Sequence, residues 1–186
     1  MTDGGTTYVL VDGENIDATL GQSILGRRPQ PDERPRWERV LDFARDQWGQ
    51  PTRGLFFLAA NSELPMAFIQ ALLALGWRPI PLSGASHQKV VDIAIQRTLE
   101  AIADREGDVM VVTHDGDFLP QLERVCGLGR RVGLIGFEEF KNRGFVALAQ
   151  QGLEFFDLEA DVHAFNVTLP RIRIIPIDDF DPAAFL

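Results

Sequence analysis

The sequence predicts a single three-layer α/β domain around a mostly parallel central sheet. Three observations predict it: short apolar, β-rich runs recur along the chain, stretches with helical periodicity separate them, and 186 residues suit one continuous core. Apolar residues make up 45% and charged residues 24% of the chain. That balance excludes wholesale disorder, a collagen-like repeat and a disulfide scaffold.

Tyr8-Val9-Leu10-Val11 reads as a buried strand ending at Asp12, and a weakly helical stretch follows from Asn15 to Leu20. Gly21 to Pro35 is rich in Gly, Pro and Arg and reads as a loop, long enough to suggest a function. Trp37, Val40, Leu41, Ala44 and Trp48 mark one apolar face of a helix that Gly49 and Pro51 stop. Gly54 to Ala60 is a second strand and Pro65 to Leu75 a helix. Trp77 to Leu82 is a third strand whose Pro79 and Pro81 assign it to a sheet edge. Val91, Ile95, Leu99 and Ile102 line a long helix that leads into a fourth strand, Val109 to Thr113. Phe118 to Val125 is helical, Arg131 to Ile135 is a fifth strand, Phe137 to Gln151 holds a short helix, and Glu154 to Leu158 makes a sixth strand. Residues 1–7 are read as a leader, 8–158 as the domain and 159–186 as a tail with an acidic, proline-punctuated end.

The longest apolar run, Leu55 to Ala60, is far below the ~18 residues of a membrane span, and the start lacks the pattern of a secretory signal. Cys126 has no partner, so the expected compartment is the reducing cytoplasm. Eighteen basic against 27 acidic residues give a formal net charge of −9, which opposes broad adhesion to polyanions. Arg27, Arg28, Arg34, Arg36 and Arg39 against Asp32, Glu33 and Glu38 nevertheless form a locally basic stretch.

In an open α/β sheet the ligand site lies beyond the carboxyl ends of the strands, where strand order reverses. Asp12 ends the first strand, Asp115 and Asp117 follow the fourth, and Asp92 opens the helix that leads into it. Acids gathered at one crevice repel by roughly 4 kcal/mol per pair at ~4 Å, so a cation is expected among them. With no cysteine in the cluster and His114 single, the donor set suits Mg2+ or Mn2+ rather than zinc. Taken one at a time these residues have plainer uses: Asp117 as a helix N-cap, Asp115-Gly116 as a turn, Asp92 as a partner of the helix dipole. Their joint placement at one end of the sheet favours the cation site.

Val11-Asp12-Gly13-Glu14-Asn15, Lys89-Val90-Val91-Asp92 and Thr113-His114-Asp115-Gly116-Asp117-Phe118 together resemble the NYN domain family, in its LabA-like branch of the PIN-like nucleases. The resemblance covers Tyr8 to Leu158. It implies a PIN-like, Rossmann-like fold and an Mg2+- or Mn2+-dependent ribonuclease acting on RNA. By that similarity Asp12, Asp92, Asp115 and Asp117 are the catalytic, metal-binding acids, Asn15 is a polar partner of the first acid, and Thr113 stands where serine is common. Thr98 stands where members often carry a further aspartate, which points to weakening of a second metal site.

The substrate-binding residues expected are Asn15, Lys89, Thr113, Arg27 and Arg28, with Lys89 either on a phosphate or paired with Asp92 at i, i+3. The expected partner is single-stranded RNA and not a membrane; a homodimer is left open, as is docking of the tail on its own domain or on a protein. The rival reading is a non-catalytic RNA-binding or regulatory module that keeps the fold. A phosphatase of the haloacid dehalogenase type is set aside because Asp12-Gly13-Glu14 does not supply its Asp-x-Asp motif.

Overall fold

Alternate residues of each strand are sent to opposite faces of one sheet, and both faces are apolar. The computed structural model describes residues 5–61, 63–171 and 175–186. Six strands, β1 (Thr7–Asp12), β2 (Thr52–Ala59), β3 (Trp77–Leu82), β4 (Asp108–Val112), β5 (Val132–Gly136) and β6 (Leu153–Asp157), form a sheet in the order β3-β2-β1-β4-β5-β6. Every neighbouring pair is parallel. The sheet is therefore wholly parallel, and continuous apolar runs such as Val109 to Val112 are what a strand covered on both faces requires.

Six α-helices cover it among the described residues: α1 (Gly13–Ala18), α2 (Trp37–Trp48), α3 (Met66–Ala74), α4 (Val90–Ala103), α5 (Leu119–Gly127) and α6 (Arg143–Ala149). Val9, Val11, Phe56, Met110 and Val112 face α2 and α3, with Trp37, Val40 and Leu72 in the same cluster. Leu10, Phe57, Val109 and Val111 point the other way, into the layer of Ile95, Leu99, Leu122 and Phe145. The three-layer α/β architecture expected from the sequence is the one observed. No helix among the described residues is long and apolar enough to cross a membrane.

Strand order reverses between β1 and β4. The chain adds β2 and β3 on one side of β1, crosses through α4, and adds β4 to β6 on the other, so a crevice opens where the loops after β1 and β4 diverge. Pro79 and Pro81 lie on edge strand β3, where alternate backbone positions face away from the neighbouring strand and a missing N–H costs no ladder bond.

One element differs from expectation. The segment from Gly21 to Pro35, read as a loop, begins inside a π-helical turn, Thr19–Leu25, and includes a 3-10 turn, Pro31–Glu33. Glu33 accepts from the backbone N–H of Gln30 at 2.7 Å and from both terminal nitrogens of Arg27 at 2.8 and 2.6 Å. Polar staples of this kind, though local, leave no periodic apolar trace in a sequence. Beyond β6, Val162, Ala164 and Leu169 are buried in the α2 side of the core, and Arg39 of α2 donates to the carbonyls of His163 and Phe165. The final described stretch, 175–186, exposes Ile177, Phe180, Phe185 and Leu186.

Candidate metal centre

β1 delivers Asp12 to the crevice with its side chain only 3% exposed. Gly13 follows because a Cβ there would lie 2.6 Å from the Phe56 ring, so only glycine lets α1 start so close to β2. The Asp12 carboxylate is fixed on both oxygens: the Thr113 hydroxyl donates to Oδ2 at 3.1 Å, and the Asn15 backbone N–H donates to Oδ1 at 3.4 Å. From the loop after β4 comes Asp115, whose N–H donates back to the Thr113 hydroxyl at 3.1 Å. The first turn of α4 brings Asp92 in from the side. Carboxylate oxygens of Asp12, Asp92 and Asp115 all lie within 4.8 Å of one another.

Burial pushes the Asp12 carboxyl up to about 7, with the Thr113 hydrogen bond opposing and the Asp92 and Asp115 charges adding to the rise. Asp92 is raised as well, first by burial and then by the charge of Asp115. Lys89 answers part of this field: its Nζ lies 3.5 Å from both Asp92 Oδ2 and Asp117 Oδ2. The i, i+3 pairing with Asp92 is therefore present, and Asp92 is the leading cause of the raised Lys89 ammonium. The side chain remains 70% exposed and can still reach outward.

Not every expected residue joins the cluster. Asp117 sits on the outer lip, exposed, with its carboxylate turned to Lys89. Nor is it the cap; Asp115 takes that role, accepting from the Asp117 N–H at 2.9 Å as the loop enters a 3-10 turn, Gly116–Phe118, ahead of α5. Thr113 is fully buried and acts on Asp12 rather than on a substrate. Asn15 turns its side-chain oxygen to the His114 N–H at 2.8 Å, tying the β1 and β4 loops together. Arg27 is engaged by Glu33 and Arg34 by Asp17, whereas Arg28 is exposed and, among the described residues, makes no ion pair. Thr98 lies away from the crevice, its hydroxyl on the Ala94 carbonyl and its neighbours Tyr8, Leu55 and Arg97. Six residues beyond Asp92 a helix has turned to another face. Gln96, four residues on, keeps to the Asp92 side and donates to the Asp117 carbonyl at 3.1 Å.

His114, inside the acidic loop, is buried. The Phe137 N–H donates to its Nε2 at 2.7 Å, which places the ring proton on Nδ1, 3.3 Å from the Thr19 hydroxyl. A Cβ at Gly136 would lie 2.7 Å from that Nε2, so glycine is required for the approach. Burial holds the imidazole down at about 4, against the pull of Glu139. Both ring nitrogens are committed, and His114 is a neutral pin joining three loops, not a ligand. Glu14 is the residue that sequence reasoning missed. It lines the crevice and accepts from the Ala59 N–H at 3.3 Å. Its position two residues past a strand-ending aspartate was the available signal.

The donor set is three carboxylates, one of them buried and reluctant to ionise alone. Oxygen-only ligation of this kind fits a hard divalent ion, and the geometry offers no thiolate or free imidazole for a softer one.

A family model described as NYN domain matches residues 6–158. Among solved structures, a protein of unknown function from Vibrio parahaemolyticus superposes with a TM-score of 0.67 at 18% identity, over 87% of this chain and 97% of that one. Its likeness is one of fold. No curated protein matches the chain.

Proposed function

The chain belongs to the NYN domain family, and from that premise we propose that it is a divalent-metal-dependent ribonuclease hydrolysing RNA phosphodiester bonds at the carboxylate cluster. The convergence of Asp12, Asp92 and Asp115 within 4.8 Å at the strand-order reversal carries the reading. The motif order around these acids supports the LabA-like branch of the PIN-like nucleases.

Asp12, Asp92 and Asp115 would hold the ion, with Mg2+ or Mn2+ matching their oxygens. A bound divalent ion supplies Lewis-acid polarisation of a phosphate oxygen and a more acidic attacking water. The chain's own part is positional. Thr113 and the Asn15 N–H hold Asp12 in one orientation, and the His114 pin keeps the Asp115 loop in place. Asp92, at the mouth, also orients the attacking water, whose proton passes to solvent at the open crevice. Lys89 swings from the acids to the non-bridging phosphate oxygens. Water adds to phosphorus, one P–O bond breaks, and the departing oxygen takes a proton from solvent at the open lip near Asp117.

Protein stripped with chelator should leave labelled single-stranded RNA intact and cleave it once Mn2+ or Mg2+ is restored. Undiminished cleavage in excess chelator would overturn the reading, and tight binding without cleavage at any metal concentration would turn it into an RNA-binding module. The basic stretch contributes through Arg28, since Arg27 is spent on Glu33. Arg28→Ala should lower the slope of log affinity against log salt by about 0.7, the value of one phosphate contact on a single strand. An unaltered slope removes Arg28 from the RNA path.

A further inference from the structure

On the other side of Glu14 from the acidic crevice lies a second cavity, of about 550 Å3. Its floor is Phe56 and Trp37, its walls are α1 and the end of β2, and Phe68 stands at its rim. Phe56 meets Trp37 edge-on at 4.9 Å and Phe68 edge-on at 5.4 Å, so the rings form a rigid aromatic corner. Glu14 and Ala59 line both this cavity and the crevice, and their hydrogen bond makes them one shared partition. Across the mouth, Arg34 is fixed on Asp17 at 2.8 Å.

We propose that this cavity receives a nucleobase of the RNA strand whose phosphate lies at the acidic crevice, and that it favours bases carrying an amino group over uracil. The inference rests on the ribonuclease reading and assigns that site its base-recognition pocket.

The occupant follows from the walls. A phosphate would be repelled by Glu14 and poorly solvated among aromatic rings, while a flat, largely apolar ring with a polar edge matches both wall and rim. Single-stranded RNA is recognised through splayed bases that stack on aromatic side chains and bond along their edges. The cavity falls within the ~300–1,000 Å3 of ordinary ligand pockets. Only one partition separates it from the crevice, so adjacent parts of one nucleotide chain can occupy both. The Glu14 carboxylate, whose Oε1 already meets Ala59, offers acceptor capacity that an exocyclic amino group satisfies. At that position uracil presents carbonyl oxygens, which the carboxylate rejects.

The test uses the intact protein, tryptophan fluorescence and nucleoside monophosphates, first in chelator and then in parallel with cleavage of single-stranded RNA. AMP, GMP and CMP should bind more tightly than UMP. Ala18→Phe, which fills the cavity from α1, and Phe68→Ala, which removes the half-exposed rim ring, should each weaken binding by roughly five- to hundredfold, the usual scale for one stacked base. Phe68→Ala serves if circular dichroism shows that the filled variant does not fold. Equal binding by wild type and a folded variant overturns the proposal, as does UMP binding tightest. Uptake of an apolar dye but of no nucleotide also overturns it and marks the cavity as a seat for a protein segment. The monophosphate titration needs neither metal nor turnover, so the pocket can stand where the ribonuclease reading fails. Conversely, an enzyme that cleaves RNA with unchanged rate and base preference after Ala18→Phe keeps its activity and loses this pocket.

Discussion

Asp12→Asn is expected to reduce metal-dependent RNA cleavage by a hundredfold to a thousandfold in kcat while leaving RNA affinity within a few-fold of wild type. Losing one preorganised electrostatic contact to developing charge typically costs about that much. The substitution is nearly isosteric, and the amide can still meet the Thr113 hydroxyl and the Asn15 N–H that now hold the carboxylate. What disappears is the buried negative charge. A residue that acts only in the transition state lowers kcat and kcat/KM together. Single-turnover rates and anisotropy titrations on the same preparations separate the outcomes. A raised Kd with kcat preserved would make Asp12 a binding residue and dismantle the proposed centre.

The same variant should be more stable than wild type in chelator, and increasingly so as pH rises. In the folded chain the Asp12 carboxyl stands at about 7, against 3.8 for the ordinary group. Between those values the folded protein holds a proton that the unfolded chain has released, so stability falls as pH rises through the window. A three-unit separation corresponds to roughly 4 kcal/mol above pH 7, an upper scale because the crevice is open on the Asp92 side. Asp12→Asn has no such proton to lose. Its melting temperature in chelator should match wild type near pH 4 and exceed it by about 5–10 °C near pH 8. Manganese at a hundredfold above Kd should return about 2.7 kcal/mol to wild type and nothing to the variant. The Mn2+ shift of wild type should also shrink as pH drops below 7, because the ion and the proton compete for one carboxylate. Melting curves that run parallel for both proteins across pH, with equal manganese shifts, would be incompatible with a buried, raised Asp12.

Much of this arrangement was legible in the sequence because its cause is local. Val9 to Val11 and Val109 to Val112 are unbroken apolar runs that only a doubly covered strand can bury, and the acids that end or follow such strands must come out at one edge of a parallel sheet. Asp12 and Asp115 could therefore be located without coordinates. Asp117 could not be told from Asp115, since the two share one short turn and only the 3-10 geometry turns one inward and the other to Lys89. The burial of His114 left no trace in the sequence because its partners, Thr19, Phe137 and Asn15, lie 95, 23 and 99 positions away. Glu14 escaped notice because a carboxylate beside a glycine at a strand exit is common, and its place between two cavities exists only once β2 lies alongside β1.

The pairing of β1 with β4 joins Thr7 to Asp108, about a hundred residues apart in the chain. Contacts of such separation are slow to form, because the loop between them must close before any pairing rewards it. Asp12 leaves the ribosome early and Asp115 late, and synthesis proceeds at roughly 5–20 residues per second. For several seconds the nascent chain carries the first acid of the cluster without the last. Neither β2 nor β3, both made in that interval, can substitute, since they build outward from the opposite side of β1. The acidic cluster thus arises only when β4 inserts beside β1, and a growing chain that has not yet reached Asp115 holds Asp12 without its full set of partners.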